Sequence, residues 1–156
     1  MNASDTALQT AATLLAAHSQ GQAQPEPNRL DVTVAVTDLL AAAGALAETH
    51  WGYLAAITGL DAGPKAGYLE CLYHFCSAAA VLTVRVRLPR DGPVAPSLCG
   101  IIPAASLFER ELSEMFGVTF SGSPDTARLF LPDDWPAGIY PLRKDAQLPG
   151  LAAQAS

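Results

Sequence analysis

Apolar residues recur along this chain with two periods, and each change of period marks a new element. Leu8, Ala11, Ala12 and Leu15 share one face at helical spacing, which predicts a helix over Ser4–His18 with Ser4 as its N-cap. Ser19–Asn28 is polar, holds two prolines and has no periodicity, so it reads as a flexible linker. Leu30, Val32, Val34 and Val36 alternate and predict a half-buried strand. A helix capped by Thr37 follows to Glu48, with Leu39, Leu40, Ala43, Leu46 and Ala47 inward. A strand across Trp51–Leu60 then runs into the turn sequence Asp61-Ala62-Gly63-Pro64.

Tyr68–Cys76 and Val81–Leu88 both alternate and are joined by a short run of small residues. Pairing Cys76 with Val81 sets Phe75 opposite Leu82, Tyr73 opposite Val84, Cys71 opposite Val86 and Leu69 opposite Leu88, four apolar pairs on one side of a sheet. The same register sets Glu70 opposite Arg87 on the other side. A slip of one residue would break every match, so the pattern specifies this hairpin.

A Pro/Gly loop spans Pro89–Ser97, and a helix is predicted from about Ala104 to Phe116, stopped by Gly117. Beyond Gly117 the chain is rich in proline and lacks periodicity, so it has to lie over a surface; its end, LPGLAAQAS, is expected to fray. The order of elements predicts a single α+β domain: two layers, a mixed sheet with helices on one face, and an irregular C-terminal tail. Residues 1–29 form the helix and linker, 30–122 the core, and 123–156 a partner-binding tail.

Composition narrows the functional classes. The net charge is −6 and the nine basic residues are scattered, which excludes the clustered cations of a nucleic-acid site. Cys71, Cys76 and Cys99 form no CxxC pair and read as small buried hydrophobes rather than cluster ligands. There is no apolar run of the ~20 residues that a membrane span needs, and MNASDTALQT lacks a basic leader. The expectation is a cytosolic protein that meets a membrane only through partners. No phosphate loop, GxSxG elbow or HExxH motif is present.

Two segments carry the candidate chemistry. In SLFERELSEMFG, residues 106–117, the helical wheel puts Phe108, Leu112, Met115 and Phe116 on a buried stripe flanked by Glu109 and Glu111, with Arg110 and Glu114 on the far side. An Arg110–Glu114 pair would contribute only ~0.3–0.5 kcal/mol. Three carboxylates around one arginine leave negative charge that a partner's cation would relieve. In the tail, Phe130, Trp135, Ile139 and Tyr140 beside Arg128, Arg143, Lys144 and Asp145 have the composition of an interface anchor. An enzyme using Glu109, Glu111 and Glu114 as acid–base groups is disfavoured, because no nucleophile or ligand set accompanies them.

Together these segments resemble the 30-kDa (C-type) family of subunits of NADH:quinone oxidoreductase, complex I. The family signature is similar to Glu109-Arg110-Glu111, then Glu114, Met115, Phe116 and Gly117. The upstream IPAA, the earlier YLAAITGLDA and YLECLYHF, and the downstream YPLRKD also fit, so the likeness spans about Asp31–Gly150. The family's His and Pro-Asp-Leu-Arg-Arg appear here as Ser123-Pro124-Asp125-Thr126-Ala127-Arg128, with Ser123 for the histidine and Ala127 for one arginine. WPAGIY before PLRKD resembles subunits of membrane-bound energy-converting NiFe hydrogenases. The resemblance implies a structural subunit with no active site or cofactor of its own, on the cytoplasmic side of the cell membrane. NADH, FMN, iron–sulfur clusters and quinone would belong to the assembly. The implied partners are the quinone-site, 49-kDa-type hydrogenase-like subunit and the cluster-bearing subunits. The implied contact residues are Glu109, Arg110, Glu111, Glu114, Arg128, Trp135, Tyr140, Arg143, Lys144 and Asp145.

Overall fold

The computed structural model describes residues 2–150. Its centre is the predicted hairpin. Strands β4 (Tyr68–Ser77) and β5 (Ala80–Pro89) pair in the expected register, with Cys76 against Val81, Tyr73 against Val84 and Glu70 against Arg87. Leu69, Cys71, Tyr73 and Phe75 face the core together with Leu82, Val84, Val86 and Leu88. Strand β3 (Tyr53–Asp61) adds antiparallel to β4, and β2 (Arg29–Val34) adds parallel to β5.

Two sequence expectations fail at the N-terminal side. The supposed linker is strand β1 (Ser19–Glu26), an antiparallel edge on β2, which gives the five-stranded order β1-β2-β5-β4-β3. All but the first residue of β1 are exposed, so backbone pairing holds it and no apolar alternation betrays it. Helix α1 (Ala3–Leu15) is capped by Asn2 rather than Ser4. The Asn2 side chain accepts from the Asp5 amide at 2.8 Å, and the Asp5 carboxylate accepts in return from the Asn2 amide, a capping box. Leu8, Ala11 and Leu15 pack α1 onto the domain, and Trp51 Nε1 donates to the Ala7 carbonyl at 2.8 Å.

Helix α2 (Leu39–Glu48) follows a 3-10 turn over Val36–Asp38, without a side-chain cap from Thr37. It buries Leu39, Ala42, Ala43 and Leu46 but turns Leu40 to solvent, because Ala42 takes the inward position assigned to it. Helix α3 (Ala105–Phe116) ends as expected at Gly117, which adopts φ 72°. The short parallel strands β6 (Val94–Pro96) and β7 (Thr119–Ser121) flank it. Helices and core lie on one face of the sheet. The other face is polar and linked by ion pairs: Arg85 to Asp31 at 2.9 Å and to Glu70 at 2.6 Å, and Arg87 to Glu70 at 3.0 Å. The predicted fraying of LPGLAAQAS falls mostly on residues 151–156, outside the described ones.

Candidate docking surface

Helix α3 organises much of the described segment that follows it, and Glu109, Arg110 and Glu114 of its ERExxE sequence have separate tasks. Glu109 is 1% exposed, contrary to its expected place on an interface. Its carboxylate accepts from the Leu98 amide and the Ser97 hydroxyl, both at 2.7 Å, and from the Cys99 thiol at 3.4 Å. It therefore anchors the loop after β6 to the helix. Tyr73 and Cys71 lie near this carboxylate. Burial, with the charge of Glu109 added, pushes the Cys71 thiol up to about 12. At neutral pH Cys71 is a protonated packing residue.

Arg110 and Glu114 do not pair with each other. Arg110 donates to the carbonyls of Ala127 and Arg128, each at 2.9 Å, and pairs with Asp125 at 3.1 Å. Glu114 accepts from the amides of Leu129 and Phe130 at 2.6 and 2.8 Å. One turn of helix thus presents a donor and an acceptor to the backbone of an irregular segment, whose polar groups have no ladder partners. The expected surplus of unpaired carboxylates reduces to Glu111. Among the described residues that side chain makes no hydrogen bond, since Glu109 faces inward and Glu114 holds the tail.

The YPLRKD segment closes the same helix at its other end. The Tyr140 ring lies over Gly117, where a Cβ would collide with it. The Leu142 amide donates to the Met115 carbonyl at 3.1 Å and Arg143 Nε to the Phe116 carbonyl at 2.8 Å. Two C-terminal carbonyls that a helix ordinarily leaves open are thereby satisfied, one by a cation favourably placed at the negative end of the helix dipole. Arg143 also stacks on Tyr140, 4.9 Å from the ring centre.

The next two residues lock onto the sheet. Asp61, at the end of β3, accepts from the Lys144 and Gly63 amides at 2.8 Å and from Arg90 at 2.9 and 3.0 Å. Arg90 pairs in turn with Asp145. Hydrogen bonding from Arg90 outweighs burial and holds the Asp61 carboxyl well below the usual range. Sequence reading missed Asp61 and Arg90, because the bonds to Lys144 and Asp145 span 83 and 55 residues.

Between these anchor points the tail folds on itself. Arg128 donates to the carbonyls of Pro132 and Trp135 at 2.7 and 3.0 Å, and Trp135 Nε1 donates to the Ile139 carbonyl at 2.8 Å. The path is defined, yet no residue from 121 to 150 is buried. Phe130 is 62% exposed and Leu142 55%. Arg110, Glu114, Arg128, Arg143 and Asp145 thus have partners within the chain. What they present outward is an apolar relief of Phe130, Leu142 and the half-exposed Trp135, Ile139 and Tyr140.

The class defined here is an α+β domain whose C-terminal segment is strapped in irregular form across one helix. The chain belongs to the family described as respiratory-chain NADH dehydrogenase, 30 Kd subunit, whose model matches residues 32–151. It is 46% identical over 87 residues to the beta subunit of the membrane-bound hydrogenase of Pyrococcus furiosus, a match covering 54% of this chain and 50% of that one. It is 39% identical over 100 residues to the C-type subunit of the NADH-quinone oxidoreductase of Moorella thermoacetica, covering 63% and 66%. Formate hydrogenlyase subunit 5 of Escherichia coli matches at 37% over 122 residues, 76% of this chain but 21% of that one. The chain therefore spans from a fifth to about two thirds of the length of these relatives. Among solved structures, a chain of the archaeal membrane-bound sulfane sulfur reductase superposes with a TM-score of 0.75 at 25% identity, covering 94% of this chain and 88% of that one. A fragment of Nqo5 shares the fold, with a TM-score of 0.58 at 21% identity, covering 78% and 97%. No helix among the described residues is long and apolar enough to cross a membrane.

Proposed function

We propose that this chain is a structural, non-redox subunit in the peripheral arm of a respiratory NADH:quinone oxidoreductase, docked on the hydrogenase-like, quinone-site subunit. The carrying observation is the tail: a segment of defined path, fixed at both ends of α3 and to β3, with no buried residue and its apolar side chains turned outward. A surface held in place and left uncovered is prepared for a partner, because pre-ordering removes part of the entropy cost of docking. In this reading NADH, flavin, clusters and quinone are bound by other chains, and this one contributes rigidity and contact area on the cytoplasmic side of the membrane.

A second reading places the same module in a membrane-bound, energy-converting NiFe hydrogenase or ferredoxin-linked complex. It is favoured by the 46% identity to a hydrogenase subunit and by Ser123 and Ala127, which depart from the complex I pattern. That the module occupies about a fifth of a larger hydrogenlyase chain supports a large-subunit partner in either case. Affinity purification of a tagged copy from the native membrane tests both. Flavin-binding and 49-kDa-type chains are expected to co-purify. Nickel–iron hydrogenase chains in their place would reverse the order of the two readings, and recovery of the chain alone would refute both.

A further inference from the structure

We propose that the free edge of β3, with the groove between β3 and α3, takes an extended segment of a partner subunit by strand addition, apolar at alternate positions and carrying an arginine or lysine where it passes Glu111. β3 is nine residues long and pairs on one side only, with β4. Among the described residues no backbone hydrogen bond leaves its other side, so a row of N–H and C=O groups is open to pairing. The devices that normally blunt such an edge are weak here. Its sequence, YLAAITGLD, has no proline or lysine, and the one register irregularity lies between Leu54 and Ala56, leaving Ala56–Asp61 regular.

The groove beside this edge holds about 240 Å³ and runs between Ala56–Gly59 on the strand and Phe108, Met115 and Leu142 on the other wall. Phe108 and Met115 are half-buried and Leu142 is mostly exposed, so the apolar wall is formed but not filled. A strand edge beside a helix is the geometry in which extended peptides are recognised: the main chain supplies affinity and alternate side chains enter the groove. Glu111 also lines the groove, and its carboxylate makes no hydrogen bond among the described residues, which sets the charge required of the guest.

The chain's own segments do not meet that requirement. A second copy's β3 contains no basic residue and ends in Asp61, and pairing two copies would bring one Glu111 toward another. β1, SQGQAQPE, and the terminal LAAQAS carry no basic residue either. None of these segments supplies the cation, and the guest is assigned to a partner subunit. The proposal depends on the subunit reading only in requiring a partner chain.

Hydrogen exchange of the full chain, alone and within the complex purified through its tag, tests it. The amides of β3 that point away from β4 are expected to slow by at least about tenfold in the complex. Leu142→Glu and Glu111→Arg are each expected to lower recovery of partner chains while leaving the melting temperature of the isolated chain unchanged. Unchanged β3 exchange in a complex that does co-purify overturns the groove assignment and leaves the subunit reading standing. Recovery without any partner chain overturns both. A dimer of the isolated chain that Leu142→Glu dissociates assigns the edge to a second copy and also overturns the proposal.

Discussion

Glu109 separates an interior role from an interface role, and the two give opposite results. Its side chain is 1% exposed, and the Leu98 amide and Ser97 hydroxyl both donate to it at 2.7 Å. Glu109→Ala strands both donors in a buried site, at about 1–3 kcal/mol each, and leaves a small cavity besides. A loss of about 4 kcal/mol corresponds to a melting temperature lower by roughly 8–16 °C in a domain of this size. Glu109→Gln keeps the shape and one acceptor, so it should cost only about 1 kcal/mol. Thermal and urea denaturation of the isolated chain would read both values. If Glu109→Ala melts like the wild type and instead fails to enter the complex, Glu109 faces a partner and the inward assignment is wrong.

Phe116 is 7% exposed and its ring occupies the space that a Cβ at Gly59 would need, so Phe116→Ala should destabilise by ~3–5 kcal/mol and Gly59→Ala should also lower the melting temperature. An unchanged melt for either would show that α3 does not seat on β3 in this way. Arg110→Ala and Arg143→Ala remove tail anchors from the surface of α3; the isolated core should melt nearly as before, while the tail becomes sensitive to limited proteolysis and incorporation into the complex falls. Normal assembly of both variants would count against the strapped tail as the docking element. Asp61 has a folded pKa below its ordinary value of 3.8, chiefly through its bonds from Arg90. Its contribution to stability is complete above that value and is lost as the pH falls below it toward the depressed folded value. Asp61→Asn should therefore lower stability at pH 7 and flatten its dependence on pH below 4, as followed by urea unfolding at a series of pH values.

The parts of the fold visible in the sequence are those where two independent patterns constrain each other. The β4–β5 register was legible because alternation on both strands, plus Glu70 against Arg87, admits one solution. The end of α3 was legible because a periodic run stops at glycine. β1 was not, because an exposed edge strand of Gln, Gly, Ala and Pro has a linker's composition. Glu109 was misplaced by a modest rotation. At about 100° per residue, the buried stripe centres on Ala105, Leu112 and Phe116, with Glu109 on it, rather than on Phe108 and Met115. Ala105 is too small to announce a core position, whereas Phe108 is large enough to suggest one. Arg110, Glu114 and Arg143 stood out in the sequence, but their contacts did not, since they act on main-chain atoms that carry no sequence signature.

The lone parallel pair in the large sheet, β2 with β5, sets a constraint on the order of events during synthesis. β5 inserts between β2 and β4, so about fifty residues leave the ribosome after Leu30, Val32 and Val34 before the strand that covers them exists. Until then the first two strands form at most an isolated ribbon, marginal in water. The β3–β4–β5 meander, built from neighbouring segments, has the shorter loops to close and is the natural nucleus. A nascent chain stalled before residue 80 would leave the facing edges of β2 and β4 unpaired and their apolar faces uncovered, the kind of species that chaperones retain.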